Sequence, residues 1–424
     1  MTYTLRPYQV EAVNKMMWGL DLAGNDIVCM AQGSGKSLVI ADFANRIKRP
    51  ILILQPSKEL LKQNVEKMEA FVSRDEIGIF SASLNEKTIK QFTFGTIQSV
   101  YKHPELFQDF NVAIVDECDL INPKKLSGMY NKFFKQAHIA KVFGLTGTPF
   151  RQDTYYAEPP EGWASWKMRS WKNYKNIESI TTTKMINRYK EHFWDRMLYV
   201  LNTHELMEQN HLTPLNYIDK ELIPHEEIPV NISKSDFDLE AYDSLIQDKE
   251  EKLVQGIQTA VNTHKSIIVY CASIDQAERF AKTFPKARVV SSETPIKERD
   301  RSVSEFRKGD VKMLFNVSLF TIGFDHPNLD CIILVRPTRS LRLHLQILGR
   351  GTRNSDGKDK CDVIDFAGNV KALGKLEEIK VEKVNGLWDV TSPSYPNGFH
   401  MKELYRYKIV SKPKRSPEMF PSLY

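Results

Sequence analysis

Short, continuous apolar runs alternate with amphipathic stretches from the start of the chain. The first set is DIVCMA, PILILQP, IGIFSA, FTFGTI, NVAIVDE and KVFGLTG, with helical patterns such as Lys58–Phe71 between several of them. Strands that are apolar throughout, separated by helices, predict βαβ units and a parallel sheet covered on both faces. The alternation stops near Gly147. Residues 151–220 carry few β-like runs and many aromatics, and a long helical pattern follows at Asp236–His264. SIIVYCA, ARVVSS, VKMLFNV, CIILVRP and CDVIDFA then restore the alternation. The pattern predicts an α/β protein with two parallel-sheet domains, 1–150 and 222–370. An interdomain insertion, 151–221, separates them, and an extension, 371–424, follows. The last stretch, KIVSKPKRSPEMFPSLY, is basic and Pro/Ser-rich and predicts weak packing.

Composition changes this picture little. A chain of 424 residues, 42% hydrophobic and 26% charged, suits a globular protein of two domains. The net charge of +6 permits a polyanionic partner without requiring one. Five cysteines, odd in number and without a CxxC pair, argue against a disulfide framework or zinc site and for buried packing. MTYTLRPYQ contains no apolar signal region, and runs such as CIILV are too short to span a bilayer. The expectation is a cytoplasmic protein with no membrane partner.

Candidate chemistry begins at MAQGSGKS, residues 30–37. Strand DIVCM, loop AQGSG and helix KSLVIADFANRI give the context a phosphate loop needs. Gly33 and Gly35 let the backbone of Gln32–Ser34 curl its N–H groups toward phosphates, and the helix N-terminus adds partial positive charge. Lys36 is placed to reach the outer phosphates of ATP, and the Ser37 hydroxyl to ligate Mg²⁺. Residues 112–119, VAIVDECD, supply the second half of such a site. Asp116 and Glu117 fall at the carboxyl end of a buried strand, Asp116 to hold Mg²⁺ and Glu117 to orient and deprotonate the attacking water. LHLQILGRGTR brings Gln346, Arg350 and Arg353 to one helix face in the second domain. Arginines so placed can act as fingers on a γ-phosphate. The competing reading is a solvated basic helix.

The order of these motifs resembles helicase superfamily 2, the DExD/H-box group. LRPYQ resembles its adenine-reading segment, QPSKELLKQ and FGTIQSV its strand-contacting motifs, and DECD its DEAD box. LTGTP resembles its coupling motif, and YCAS, FNVSLFTIGFD and QILGRGTR the motifs of its second domain. Within the group, LRPYQVEAV, GLTGTPFR, TIGFDHPNLD and LGRGTR are similar to RadD-like bacterial helicases, whose Cys-rich C-terminal region this sequence lacks. The resemblance implies two RecA-like domains with ATP and Mg²⁺ between them. It gives Gln9 and Arg6 to the base, and Gly323 and Asp325, with Thr146 and Thr148, to coupling. It gives Pro56, Ser57, Thr96, Gln98, Ser99, Ser273 and Ser318 to nucleic acid. Taken singly, these small polar residues also read as solvated loops or helix caps. The partner it implies is nucleic acid, DNA foremost, bound by a monomeric motor.

WASWKMRSWKNYK, residues 163–175, interleaves aromatics with Lys167, Arg169, Lys172 and Lys175. Such interleaving suits a stacking platform with an electrostatic grip, in a wedge or clamp on DNA. It equally suits tryptophans that bury the insertion against a domain. The expected function is an ATP-dependent DNA helicase in repair, recombination or replication. A duplex translocase, an RNA helicase and an inactive ATP-binding switch remain as alternatives.

Overall fold

The computed structural model of the protein describes residues 3–123, 127–156, 179–190, 192–231, 235–319 and 325–396. Strands β1 (Asp26–Met30), β2 (Ile51–Leu54), β3 (Ile77–Ser81), β4 (Glu86–Lys87), β5 (Phe92–Gly95), β6 (Val112–Asp116) and β7 (Lys141–Thr146) build most of the first sheet. A two-stranded hairpin, β8 (Phe150–Tyr156) and β9 (Ser179–Met185), follows, and then β10 (Arg196–Leu201). The first sheet runs β10-β1-β7-β6-β2-β5-β3-β4 and is parallel apart from the β3–β4 pair. Alternate side chains of its central strands go to opposite faces. Val28, Met30, Ile51 and Ile53 pack with Val13, Ile40 and Phe43 of the helices Pro7–Gly19 and Lys36–Ile47. Ile27, Cys29, Leu52 and Leu54 pack on the other face with Ile97, Phe107 and Phe133. Phe133 has no exposed surface, and truncating such a residue to alanine costs about 3–5 kcal/mol.

The second sheet contains β11 (Leu215–Asp219), β12 (Ile267–Tyr270), β13 (Ala287–Val290), β14 (Met313–Asn316), β15 (Cys331–Leu334) and β16 (Cys361–Asp365). Its order is β11-β16-β15-β12-β14-β13, parallel throughout. All five cysteines are free and buried, as packing residues would be. Among the described residues no helix is long and apolar enough to cross a membrane.

Several elements differ from the expected divisions. Residues 196–201, within the expected insertion, form edge strand β10 of the first sheet, and 215–219 form edge strand β11 of the second. Strand β10 pairs with β1, with Asp26 opposite Arg196, and that pairing is distant in sequence. The expected helix Asp236–His264 is two helices, Leu239–Ile246 and Glu250–Thr263, joined by a 3-10 turn at Gln247–Lys249. The turn lets Ile246 and Leu253 both enter the core. The expected extension contains an antiparallel hairpin, β17 (Lys380–Val384) and β18 (Leu387–Thr391).

That hairpin returns from the second domain to the first. His344 Nε2 pairs with Gly374 O at 2.9 Å, and Tyr217 donates to Glu377 at 2.7 Å. Farther on, Val381 N donates to Asn202 Oδ1 at 2.8 Å, while Asn202 Nδ2 donates to Val381 O at 3.3 Å. Arg188 pairs with Asp389 at 2.9 Å. Residues 397–424 and the aromatic–basic stretch 163–175 lie outside the described residues, so Lys167, Arg169 and Lys172 receive no position here.

Candidate nucleotide cleft between the two sheets

The phosphate loop leaves the carboxyl end of β1, where open α/β sheets bind ligands. Gly33 (φ +82°) and Gly35 (φ +79°) adopt the left-handed backbone expected of a phosphate cradle. Gly35 also needs to be glycine for space, because a Cβ there would lie 2.5 Å from Gln9 Nε2. Gln9 donates to Ser34 O at 2.9 Å, Tyr8 donates to the same oxygen at 3.1 Å, and Gln9 Oε1 accepts from Arg6 N at 2.9 Å. Gln9 therefore ties the first helix to the loop. Arg6 is exposed and donates to Tyr8 Oη at 3.2 Å.

Lys36 donates from Nζ to Met30 O at 3.4 Å, and Ser37 follows it in the first turn of the helix. Asp116 ends β6 and is buried. It accepts from Asn64 Nδ2 at 3.2 Å and from Glu117 N at 3.1 Å. Burial first, and Glu117 second, push its carboxyl up to about 6, against the pull of Lys36. Glu117 holds φ +51°, a conformation that costs a non-glycine residue on the order of 1 kcal/mol. Its Oε2 is buried with no hydrogen-bond partner among the described residues. An acceptor left so is fitted to a water or substrate proton.

The opposite wall comes from the second domain, where Arg353 lies past the end of the helix Leu341–Gly351 instead of on its face with Gln346 and Arg350 as expected. Arg350 and Arg353 face the loop across a cleft of about 410 Å³ that Gly33, Gly35, Lys36, Ser37, Asp116 and Glu117 also line. Burial first, and the neighbouring Arg353 second, lower the Arg350 pKa, while Tyr270 and Glu117 oppose them. Arg353 Nε lies 3.6 Å from Asp325, whose backbone oxygen accepts from Arg307 at 3.1 Å. Arg307 and Asp325 complete this wall, and Arg307 was not foreseen. Gln346 shares the helix Leu341–Gly351 and is buried without being among the residues that line the cleft, and its Nε2 has no hydrogen-bond partner among the described residues. Gln32 packs instead against Gly349, where a Cβ would fall 2.9 Å from Gln32 Oε1. Gly323 lies outside the described residues.

Thr146 and Thr148 meet at Asp119, the last residue of DECD. Thr146 donates to Oδ1 at 2.9 Å and Thr148 to Oδ2 at 3.3 Å, and Arg342 forms an ion pair with Oδ2. Burial pushes the Asp119 carboxyl up to about 6, with Arg342 the main opposing influence. Arg342 and Asn64 carried no isolated signal in the sequence. Only the fold brings Asn64 to Asp116 and Arg342 to Asp119.

The magnesium and ATP expectation fits the residues present. A hydroxyl and a buried carboxylate suit a hard cation, and two positive-φ glycines at a helix N-terminus suit phosphate. Ser37 and Asp116 are the residues that would hold the ion.

The candidate nucleic-acid residues take related positions past strand ends. Ser57 caps the helix Lys58–Met68, accepting from Leu60 N at 3.3 Å, with Pro56 beside it. Thr96 precedes the helix Ile97–Val100 and shares a 2.9 Å hydrogen bond with Ser99. Gln98 is exposed. Ser273 caps the helix Ile274–Thr283 and donates to Asp243 at 2.9 Å. Ser318 (φ +62°) accepts from Arg336 at 3.1 Å. Ser57 and Thr96 follow the neighbouring strands β2 and β5, whereas Ser273 and Ser318 follow β12 and β14. The structure thus forms two groups, one on each domain.

Known proteins place this cleft in a family. The model described as Type III restriction enzyme, res subunit, matches residues 2–151, and the helicase conserved C-terminal domain matches 248–355. IRC3 of Saccharomyces cerevisiae, assigned to the ATP-dependent helicases, is 31% identical over 393 residues, or 86% of this chain and 51% of its own. The chain thus spans about half the length of that relative. XPB2 of Sulfurisphaera tokodaii, a DNA 3'-5' translocase, is 27% identical over 376 residues, 83% of this chain and 79% of its own. A fragment assigned to the HsdR subunit of a type I restriction enzyme from Vibrio vulnificus shares the fold. It has a TM-score of 0.61 at 18% identity and covers 88% of this chain and 67% of that one. With both halves of the motor matched in order around one cleft, the chain belongs to the superfamily 2 DExD/H-box helicases.

Proposed function

We propose that this protein is an ATP-driven DNA motor that translocates on, and unwinds or remodels, branched or partly single-stranded DNA in repair, recombination or replication. One observation carries the reading: Lys36, Asp116 and Glu117 from the first domain share a cleft with Arg350 and Arg353 from the second. The glycine loop and Lys36 bind the triphosphate. Glu117 takes a proton from water as the water oxygen bonds to the γ-phosphorus, and the bond to the bridging oxygen of ADP breaks. Arg350 and Arg353 stabilise the charge that develops on the transferred group. A bound magnesium ion, at Ser37 and Asp116, would neutralise phosphate charge. Because one wall belongs to each domain, binding favours closure and product release favours opening.

Small hydroxyls at helix starts on both domains support contact with a phosphate backbone rather than with bases. Contacts of that kind fix a strand without reading sequence. A bacterial or phage-encoded, cytoplasmic monomer is the setting we assign. The RadD likeness rests on the sequence segments alone.

The test is ATPase activity with no polymer and with single-stranded DNA, duplex DNA, forked DNA and RNA in turn. Stimulation by single-stranded or forked DNA with strand separation is expected, and stimulation by RNA alone overturns the reading. Equal stimulation by blunt duplex without strand separation favours a duplex translocase, the second reading. The translocase name of XPB2 and the restriction-subunit fold neighbour speak for it.

A further inference from the structure

Asp119 is a junction of three segments. It is 2% exposed, in the turn Cys118–Leu120 that follows Glu117. Thr146 and Thr148 hold its two oxygens from the end of β7 and just beyond, and Thr148 N also donates to Thr146 Oγ1 at 3.0 Å. Arg342 reaches the same carboxylate from the other domain. Arg342 lies in the first turn of the helix Leu341–Gly351 and Arg350 in its last turn. The two arginines are about 12 Å apart along one helix axis, too short a span to bend independently. Seating Arg350 against the nucleotide therefore also seats Arg342 on Asp119.

We propose that Arg342 is a positioning residue through which cleft closure is sensed at the DECD segment. In the closed form its guanidinium supplies the counter-charge that the buried Asp119 carboxylate needs. Asp119 then fixes the Thr146–Thr148 segment and the Glu117 turn. In an open form the helix withdraws and the carboxylate loses that partner, so the pair favours closure by as much as it depends on it. Gln346, one turn farther along the helix, is the residue the family pattern puts in the site. Here it is buried and is not among the residues that line the cleft, and Arg342 makes the cross-domain tie.

The inference rests on the ATPase reading, which wild-type protein tests first: no hydrolysis under any condition defeats that reading before any variant is made. With activity in hand, kcat, KM for ATP and affinity for a fluorescent ATP analogue are measured with saturating single-stranded DNA. The variants are Arg342→Ala, Arg342→Lys, Asp119→Asn and the double Arg342→Ala/Asp119→Asn. Arg342→Ala is expected to lower kcat at least about tenfold while KM and analogue affinity stay within about threefold, the pattern of an interaction made only in the closed, reacting state. Arg342→Lys restores most of the loss. The double variant falls no more than about threefold below the poorer single, because both remove one interaction. Wild-type kcat in Arg342→Ala, a raised KM at unchanged kcat, or losses that multiply in the double variant each overturn the inference. If Arg342→Ala does not fold, Arg342→Gln takes its place in the cycle with the same criteria.

Discussion

Asn64 donates its side-chain amide to Asp116 Oδ2 at 3.2 Å, from the helix Lys58–Met68 to the end of β6. Asp116 is the carboxylate assigned to magnesium, so Asn64 orients that group and favours its charged form. Asn64→Ala is expected to raise the Mg²⁺ concentration for half-maximal ATPase activity by about tenfold, the lower end of the range for lost partners of metal ligands. Magnesium titrations at saturating ATP check this. An unchanged half-point means that Asp116 needs no such support.

Glu117→Gln keeps the size of the side chain and removes the base. ATP binding is expected to remain within about threefold of wild type while turnover falls by about a hundredfold or more, as loss of a general base does. Lys36→Ala is also expected to abolish turnover, but through lost grip on phosphate. Comparing affinity for a slowly hydrolysed analogue with steady-state turnover separates the two variants. Normal hydrolysis by Glu117→Gln removes Glu117 from the role of base.

Gly35→Ala meets two obstacles, the left-handed φ of +79° and Gln9 Nε2 at 2.5 Å from the new Cβ. The strain alone costs roughly 1–2 kcal/mol. The loop is expected to lose ATP affinity, measured by calorimetry, with little change in fold. Wild-type affinity in Gly35→Ala shows that the loop absorbs both.

The C-terminal hairpin predicts a stability effect remote from the cleft. Asn202 mimics a strand neighbour, making hydrogen bonds with both N–H and C=O of Val381. Asn202→Ala is expected to cost about 1–3 kcal/mol, because both backbone groups lose a partner. Chemical denaturation measures it, and loss below about 0.5 kcal/mol shows the strap to be held by other contacts.

Acid should weaken the fold through His344. The ring is 1% exposed, pairs with Gly374 O, and burial lowers its pKa to about 4 from the usual 6.5. Its neutral form is the folded form, so its contribution is present above pH 6.5 and is lost as pH falls toward 4. The slope approaches about 1.4 kcal/mol per pH unit for one group. Buried Asp365, pushed up to about 7 by burial, acts in the opposite direction. His344→Gln isolates the histidine: its stability relative to wild type should improve as pH falls from 6.5 to 4. A constant difference across that range excludes the effect.

The phosphate loop, DECD and GRGTR were legible because each depends on residue type at fixed local spacing. Gly33 and Gly35 needed positive φ, Lys36 and Ser37 needed a helix start, and Asp116 needed a strand end, and MAQGSGKS and VAIVDECD state all of these. The strands of both sheets were legible for the same reason, since ILIL and CIIL are apolar throughout only where both faces are covered. Edge strands β10 and β11 and the β17–β18 hairpin were not, because they draw their order from distant partners. Nothing near Arg196 names Asp26, and nothing near Val381 names Asn202.

Local chemistry was thus largely settled by the sequence: which loop curls and which carboxylates end a strand, though Arg353, expected on one helix face with Arg350, lies past the helix end. Tertiary structure alone decided which of those groups meet. Helix spacing puts Arg342, Gln346 and Arg350, each four residues apart, on one stripe, but not which distant surface that stripe meets. The packing of the two domains set Arg342 on Asp119 and Arg350 on the cleft, because the surface a helix stripe meets depends on how whole domains pack, and no short stretch of chain encodes that.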